Sequence, residues 1–383
     1  MSPAQRHYLF HWRHRMKVVA AACAAAVLVV CACTSAESQG ALSLDAKLPT
    51  TFGQLSNVLE LTDGRIAFAD TKSKLFMFAD LKTGKLDTLG SRVDSLPSGA
   101  PAVVYKFPGW VAHLKGDTVA LVDFAGQRTT LWSESGKALS VLSLPPVAGQ
   151  APVLLYDTMG HGYKIDYQSV IGGGEPGKAY HPDSIAVLRI ALVSHAVDTV
   201  ANLRSPEFGN ATFGEQTQEA ATVFAPNDFF GVLSDGTAWV ARGHENRVDW
   251  RDPNGKWTTG KPRSYEPIPV TQSDRDRVLA QVREQGKQYG MPQELEIVYP
   301  FAQNKPAFDY ALGRPNGEVW LQRPRAKDDA PMIYGIYDRK GSWRREVTFP
   351  SGVSLAGFGK DGAIYGSIKA SNGERTVGRF TLK

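Results

Sequence analysis

Six stretches of this chain share a turn residue followed by a short apolar run. With Gly64, Asp117, Asp183, Gly236, Gly317 and Gly362 as the turn residues, they read RIAFAD, TVALVD, SIAVLR, TAWVAR, EVWLQR and AIYGSI. The position six residues on holds Asp70, Asp123, Arg189, Arg242, Arg323 and Ile368. If these positions end equivalent strands on one face of the fold, two neighbouring acids are followed by three arginines. An arc of guanidinium groups suits a carboxylate- or phosphate-bearing ligand, because each fork donates two parallel hydrogen bonds. The competing reading is that each charge bonds only to its own loop. The strand centres divide in the same way, with Ala67, Ala120 and Ala186 in the first half and Trp239, Trp320 and Tyr365 in the second. Such aromatics serve either as sheet-packing core or as a ligand platform.

The other chemistry-bearing residues form weaker patterns. Beyond the N-terminal segment the histidines are His113, His161, His181, His195 and His244, none of them in an HExxH helix. His161, Asp166 and His181 share one enlarged repeat and are the candidate metal or catalytic cluster, which would take calcium or zinc. GGGEPGK (172–178) has P-loop spacing, but Ala179 stands where a Ser or Thr should hold magnesium, and His181-Pro182 follows where a helix should begin. It reads as a loop. No GxSxG motif or paired-carboxylate motif is present, and no cofactor is expected.

The elements that must position these residues are short strands at regular spacing. In the first repeat, Asn57–Leu61, Ile66–Ala69, Leu75–Phe78 and Leu86–Leu89 are joined by tight turns. The long intervals from Asp117 to Asp183 and from Gly236 to Gly317 mark two units with insertions. Repeats of four strands define a propeller: one twisted sheet cannot bury both its faces alone, whereas in a closed ring each sheet packs against two neighbours. The predicted fold is all-β, a six-bladed β-propeller of four-stranded blades over residues 41–383. The last repeat shows three clear strands, and the alternating ALSLDAKL (41–48) is expected to supply its fourth. One helix is predicted, over 273–289 between blades 4 and 5, with Ser273 and Asp276 as a capping pair and Val278, Leu279 and Val282 as its apolar stripe. It would decorate the ring, or serve as a lid or docking element.

In repeat style the chain resembles the six-bladed β-propellers of bacterial envelopes, similar to NHL and TolB-like propellers. The run DGTAWVARGHENRVDWRDPNGKWTTGKPRSYEPIPVTQSD looks like the fourth-blade segment of exported propellers that have no assigned activity. The resemblance implies a fold. It also raises an enzyme alternative, since propeller lactonases and lyases gather Glu, Asn, Asp or His from several blades around the channel.

Residues 1–33 read as an export signal: Arg6, Arg13, Arg15 and Lys17 precede an uncharged run of Val, Ala, Leu and Cys over 18–32. That run is short for a bilayer span, although a signal anchor is the alternative. Met16 would be an orthodox start for such a signal. Val30-Cys31-Ala32-Cys33 resembles a lipobox with Cys33 as the lipidated residue, and cleavage after Ala36 is the competing outcome. Residues 34–40 would then be a polar tether. The three cysteines, Cys23, Cys31 and Cys33, all lie in this segment, so the body has neither a disulfide nor a thiol nucleophile. The chain carries 43 basic and 38 acidic residues, and setting aside the four basic residues of the signal leaves the body nearly neutral. That removes the electrostatic reason to expect nucleic-acid binding.

These readings converge on an exported, membrane-anchored, monomeric binding protein of the cell envelope. Its partner would be a protein, a peptide or an envelope glycan. The alternative is a metal-assisted propeller hydrolase or lyase acting on a small ligand in the central channel.

Overall fold

The computed structural model describes residues 40–145, 153–167, 182–287, 292, 294–327 and 329–383. The export signal, Cys33, GGGEPGK and His181 lie outside the described residues. In chain order the strands are β1 (Gly40–Lys47), β2 (Leu59–Glu60), β3 (Ile66–Asp70), β4 (Leu75–Ala79), β5 (Leu86–Leu89), β6 (Ser91–Arg92), β7 (Val104–Tyr105), β8 (Pro108–His113), β9 (Thr118–Asp123), β10 (Arg128–Ser133) and β11 (Ala138–Val141). They continue with β12 (Leu155–Tyr156), β13 (His161–Ile165), β14 (Ser184–Ala191), β15 (Val197–Arg204), β16 (Phe208–Phe213), β17 (Gln216–Ala221), β18 (Phe229–Val232), β19 (Ala238–Arg242), β20 (Arg247–Arg251), β21 (Trp257–Thr258) and β22 (Ile268–Pro269). Helix α1 (Gln272–Lys287) follows. The remaining strands are β23 (Ile297–Val298), β24 (Asn304–Lys305), β25 (Tyr310–Gly313), β26 (Val319–Gln322), β27 (Ile333–Tyr337), β28 (Trp343–Thr348), β29 (Val353–Phe358), β30 (Ile364–Lys369) and β31 (Arg375–Leu382).

Sheets β2–β5, β8–β11, β12–β15 and β18–β21 are four-stranded meanders. A further sheet of eight strands is two such units, β25–β28 and β29–β31 completed by β1. They are called sheets 1 to 6 in chain order. Each of the six buried apolar clusters is built by two neighbouring sheets. Val111 and Trp132 of sheet 2 join Phe76 and Phe78 of sheet 1, and Tyr163 of sheet 3 joins Val240 of sheet 4. The circuit closes where Ala363, Tyr365 and Val377 of sheet 6 meet Phe68 and Met77 of sheet 1. This is a β-propeller: burying both faces of every sheet is what forces the ring. The first, innermost strand of each sheet lines the axis.

The expected N-terminal strand is present. β1 runs antiparallel to β31 from Leu42↔Leu382 to Lys47↔Gly378, and its first residues pair in parallel with β28. Because β1 completes sheet 6 from the other end of the sequence, the ring is held shut by backbone hydrogen bonds as well as by packing.

The third repeat needs a correction. SIAVLR belongs to β14, the third strand of its sheet, and the strand equivalent to β3, β9, β19 and β26 is β13. Its turn residue is Gly160, not Asp183. Asp157 N–H donates to the His161 carbonyl at 3.1 Å, the bond made by Leu61 to Arg65, Leu114 to Thr118, Leu233 to Thr237 and Arg314 to Glu318 in the other hairpins. The first insertion therefore lies within and after sheet 3. Part of it is the β16/β17 hairpin, which pairs with β23 from the insertion after sheet 4 (Thr212↔Val298, Phe213↔Ile297). Both segments connect the outer strand of one sheet to the inner strand of the next, so they stand on the same face of the ring.

Helix α1 begins earlier than the sequence indicates. Thr271, not Ser273, caps it: the Thr271 hydroxyl accepts from Asp274 N–H at 3.2 Å, and the Asp274 carboxylate accepts from Thr271 N–H at 3.0 Å. This is a capping box, displaced by two residues from the expected one. Val278, Leu279 and Val282 are only half-buried, and Asp274 is the helix's single buried residue. The helix is thus fixed by a charge pair with Lys305 more than by an apolar face. The end expected at 289 lies outside the described residues.

Candidate functional site

The row of charges at the strand ends is occupied by local partners. Asp70 accepts from the backbone N–H groups of Gly53, Gln54 and Lys72 and from the Ser73 hydroxyl. Burial pushes its carboxyl up, but the Ser73 hydroxyl and those N–H groups outweigh burial and hold it below the usual carboxylate range. Asp123 repeats the arrangement, accepting from Lys106, Phe107 and Gly126 N–H at 2.8, 2.8 and 2.9 Å. Each acid ties the loop entering its sheet to the turn leaving the second strand.

The arginines are paired as well. Arg242 reaches Asp228 at 2.7 Å and Asp249 at 3.2 Å, and Arg323 bonds Glu346. Arg189 is on β14, away from this row, in a two-bond pair with Asp198 directly across the sheet (3.0 and 2.9 Å). With the register corrected, the third member of the row is Asp166, beside Asp70 and Asp123.

The same correction separates the metal candidates. His161 opens β13 and Asp166 follows its end, about 16 Å away along an extended strand. His161 Nδ1 bonds instead to the buried Asp157 carboxylate at 2.8 Å, which also accepts the Tyr163 hydroxyl at 2.7 Å. Among the described residues no three His, Cys, Asp or Glu side chains stand together as a metal-holding group.

The structure brings a different set of residues together. A cavity of about 480 Å³ opens along the axis, walled by the innermost strands of sheets 2 to 5 and by β13. Trp110, Phe229 and Tyr310 come from β8, β18 and β25, while Tyr163 and Trp239 enter between those strands. Phe229 packs edge-on to Tyr310 with centroids 6.5 Å apart, and Phe230 lies 5.9 Å from Tyr163. Trp110 and Tyr310 also line a more polar cavity of about 250 Å³ against sheets 1 and 6, with Ser56, Asn57, Ser354 and Arg375. The channel is therefore two-sided, aromatic on one flank and polar on the other.

Among the described residues, Lys164 is the one charged residue in the aromatic wall. It stands where other repeats place Phe68, Leu121, Val240 and Leu321 and is nearly fully buried. Burial lowers its ammonium pKa, and the attraction of Asp166 opposes that shift.

Sequence reasoning missed this wall, although a signal for it existed. Trp110, Phe229 and Tyr310 each stand seven residues before Asp117, Gly236 and Gly317, and each pairs with the equivalent second-strand residue: Val122, Ala241 and Gln322. One rotational position of the ring thus carries an aromatic in three of its sheets.

The wall depends on two glycines. A Cβ on Gly231 would lie 2.1 Å from Trp239 Cζ2, and one on Gly313 2.6 Å from Trp239 Nε1. Gly231→Ala is therefore expected to displace the indole, with a destabilisation of about 1–3 kcal/mol from overpacking. Denaturant unfolding of this variant checks it, and an unchanged midpoint would show that the ring is not fixed there.

No family model matches the chain, and no curated protein matches it. Solved structures do. A Bacteroides fragilis protein described as exported has a TM-score of 0.51 at 10% identity, over 91% of this chain and 98% of that one. A member of the DUF4221 family from Bacteroides vulgatus matches at a TM-score of 0.46 and 8% identity, covering 91% and 99% of the two chains. A virginiamycin B lyase from Staphylococcus aureus matches at 0.40 and 12%, covering 88% and 83%. At such identities the likeness concerns the fold alone.

Proposed function

We propose that this protein is a six-bladed propeller of the cell envelope that binds a small, mainly apolar ligand in its axial channel. The observation that carries this reading is the aromatic cavity. Its volume falls within the ~300–1,000 Å³ of small-molecule sites, and its wall is apolar with few polar groups. Six four-stranded units, closed by a strand from the N-terminal side, support the blade count. The apolar, uncharged segment over 18–32 behind a basic one supports export, and Val30-Cys31-Ala32-Cys33 supports anchoring through Cys33. No helix among the described residues is long and apolar enough to cross a membrane.

The test is thermal unfolding of the purified protein with 2-acetylnaphthalene as probe, and separately with calcium or zinc before and after EDTA. A ligand that binds only the folded state raises the midpoint, and ligand at a hundredfold excess over Kd adds about 2.7 kcal/mol. A rise of several degrees with the naphthalene is the expected result. No rise with the naphthalene overturns the reading. A rise with a metal alone, reversed by chelation, favours the hydrolase or lyase alternative, and lactones and esters become the substrates to try.

A further inference from the structure

Trp239 is 3% exposed, and its Nε1–H has no hydrogen-bond partner. The indole lies between Gly231 and Gly313, and all three residues line the aromatic cavity. By contrast, Trp132 Nε1 donates to Thr130 at 2.9 Å and Trp250 Nε1 to the Asp338 carbonyl at 2.8 Å. A buried donor left unpaired costs about 1–3 kcal/mol, so an occupant that accepts from it gains binding energy that an occupant without an acceptor forgoes. The two glycines matter here, because a side chain at either position would collide with the indole before it could reach the channel. Lys164, the only charged residue of the wall among the described residues, has Asp166 as its electrostatic counterpart, so its positive charge is not uncompensated.

From this arrangement we infer that the axial cavity selects an uncharged, ring-containing ligand bearing a hydrogen-bond-accepting oxygen, such as a ketone or amide carbonyl, which Trp239 Nε1 receives. The ring stacks among Trp110, Phe229 and Tyr310, and the oxygen lies on the Gly231–Gly313 side. Orientation thus comes from one donor and affinity from the aromatic wall. The inference rests on the binding reading above.

The experiment compares three probes on the wild-type protein: 2-acetylnaphthalene, 2-ethylnaphthalene and 2-naphthoate. The first two are close in shape, and the ethyl compound is the more hydrophobic, so burial alone would favour it. The expected result is that the acetyl compound binds about tenfold tighter than the ethyl compound. It should also move one indole N–H resonance, that of Trp239, downfield as the hydrogen bond forms, a shift the ethyl compound does not produce. In Trp239→Phe the smaller ring removes wall area and both compounds should weaken, while the acetyl compound's tenfold advantage over the ethyl compound disappears. Equal binding of acetyl and ethyl compounds overturns the inference and leaves the binding reading standing. Tighter binding of 2-naphthoate overturns the uncharged assignment. Absence of binding by all three overturns the binding reading itself. The wild-type comparison and the resonance shift do not require the variant to fold.

Discussion

A chain beginning at Leu48 is expected to melt about 10 °C below one beginning at Gln39. The difference is β1. Five of its residues are in register with β31, and at roughly 1 kcal/mol net for each ladder hydrogen bond the strand contributes about 5 kcal/mol. For a large domain, 1 kcal/mol moves the midpoint by about 2–4 °C. Side chains add to the ladder: Asp45 bonds Arg379 at 2.9 Å and Thr381 at 3.0 Å. Removing β1 also exposes the edge of β31 and releases the parallel contact with β28, so sheets 5 and 6 lose the strand they share. An unpaired edge of this kind invites association, so the shortened chain should also form aggregates visible by light scattering. Equal melting temperatures would mean that apolar packing between sheets closes the ring without the strand.

The repeat was legible because its turn chemistry is local. Each hairpin between first and second strands needs a residue suited to a tight turn, and Gly64, Gly236, Gly317 and Gly362 adopt positive φ there. The third copy is hidden for an equally physical reason. HGYKID places Gly162 and Lys164 where other copies have apolar residues, so β13 looks less like a strand than SIAVLR does. Its partner strand β14 alternates cleanly and shows the stronger pattern. The residue that spoils the pattern, Lys164, lines the cavity, and the departure from the repeat therefore marks the candidate site.

The charged row shows the opposite relation. Asp70 and Asp123 stand out because they recur, and they recur because each ties the loop entering its sheet to the turn leaving the second strand, whereas Arg242 and Arg323 at the same position pair with Asp228 and Asp249 and with Glu346. Recurrence at a fixed position reflects a need those sheets share. A ligand site inside a ring needs features that differ from sheet to sheet, and the aromatics Trp110, Phe229 and Tyr310 appear in only three of them. Their register was readable once the turns were aligned, whereas the enclosure they form depends on the ring bringing β8, β18 and β25 together.

Replacing Asp274 with Asn is expected to loosen the insertion while leaving the ring folded. Lys305 is 3% exposed and its Nζ lies 2.7 Å from Asp274 Oδ1, with the Arg325 carbonyl at 2.8 Å as its other partner. Removing the carboxylate charge leaves a buried ammonium without its counter-ion, a loss of about 3 kcal/mol at the low end of measured buried pairs. Burial alone would push the Asp274 carboxyl up. The hydrogen bonds from Lys305, from the Thr271 backbone and hydroxyl and from Arg277 outweigh it and hold the group well below the ordinary value of 3.8. A depressed folded pKa stabilises fully above the unfolded value, and that stabilisation is lost progressively as pH falls from there through the folded one, so the wild-type insertion should be at full strength at neutral pH and weaken as pH falls below about 3.8. At neutral pH, amide exchange over Gln272–Lys287 should be about a hundredfold faster in Asp274→Asn, the factor that 3 kcal/mol implies. Adding Lys305→Met should restore much of the protection, since the double change removes both charges from the buried site. Unaltered exchange in the single variant would show that the helix is held by its half-buried apolar residues after all. Protection lost equally across β18 to β21 would mean that the insertion and sheet 4 unfold as one unit.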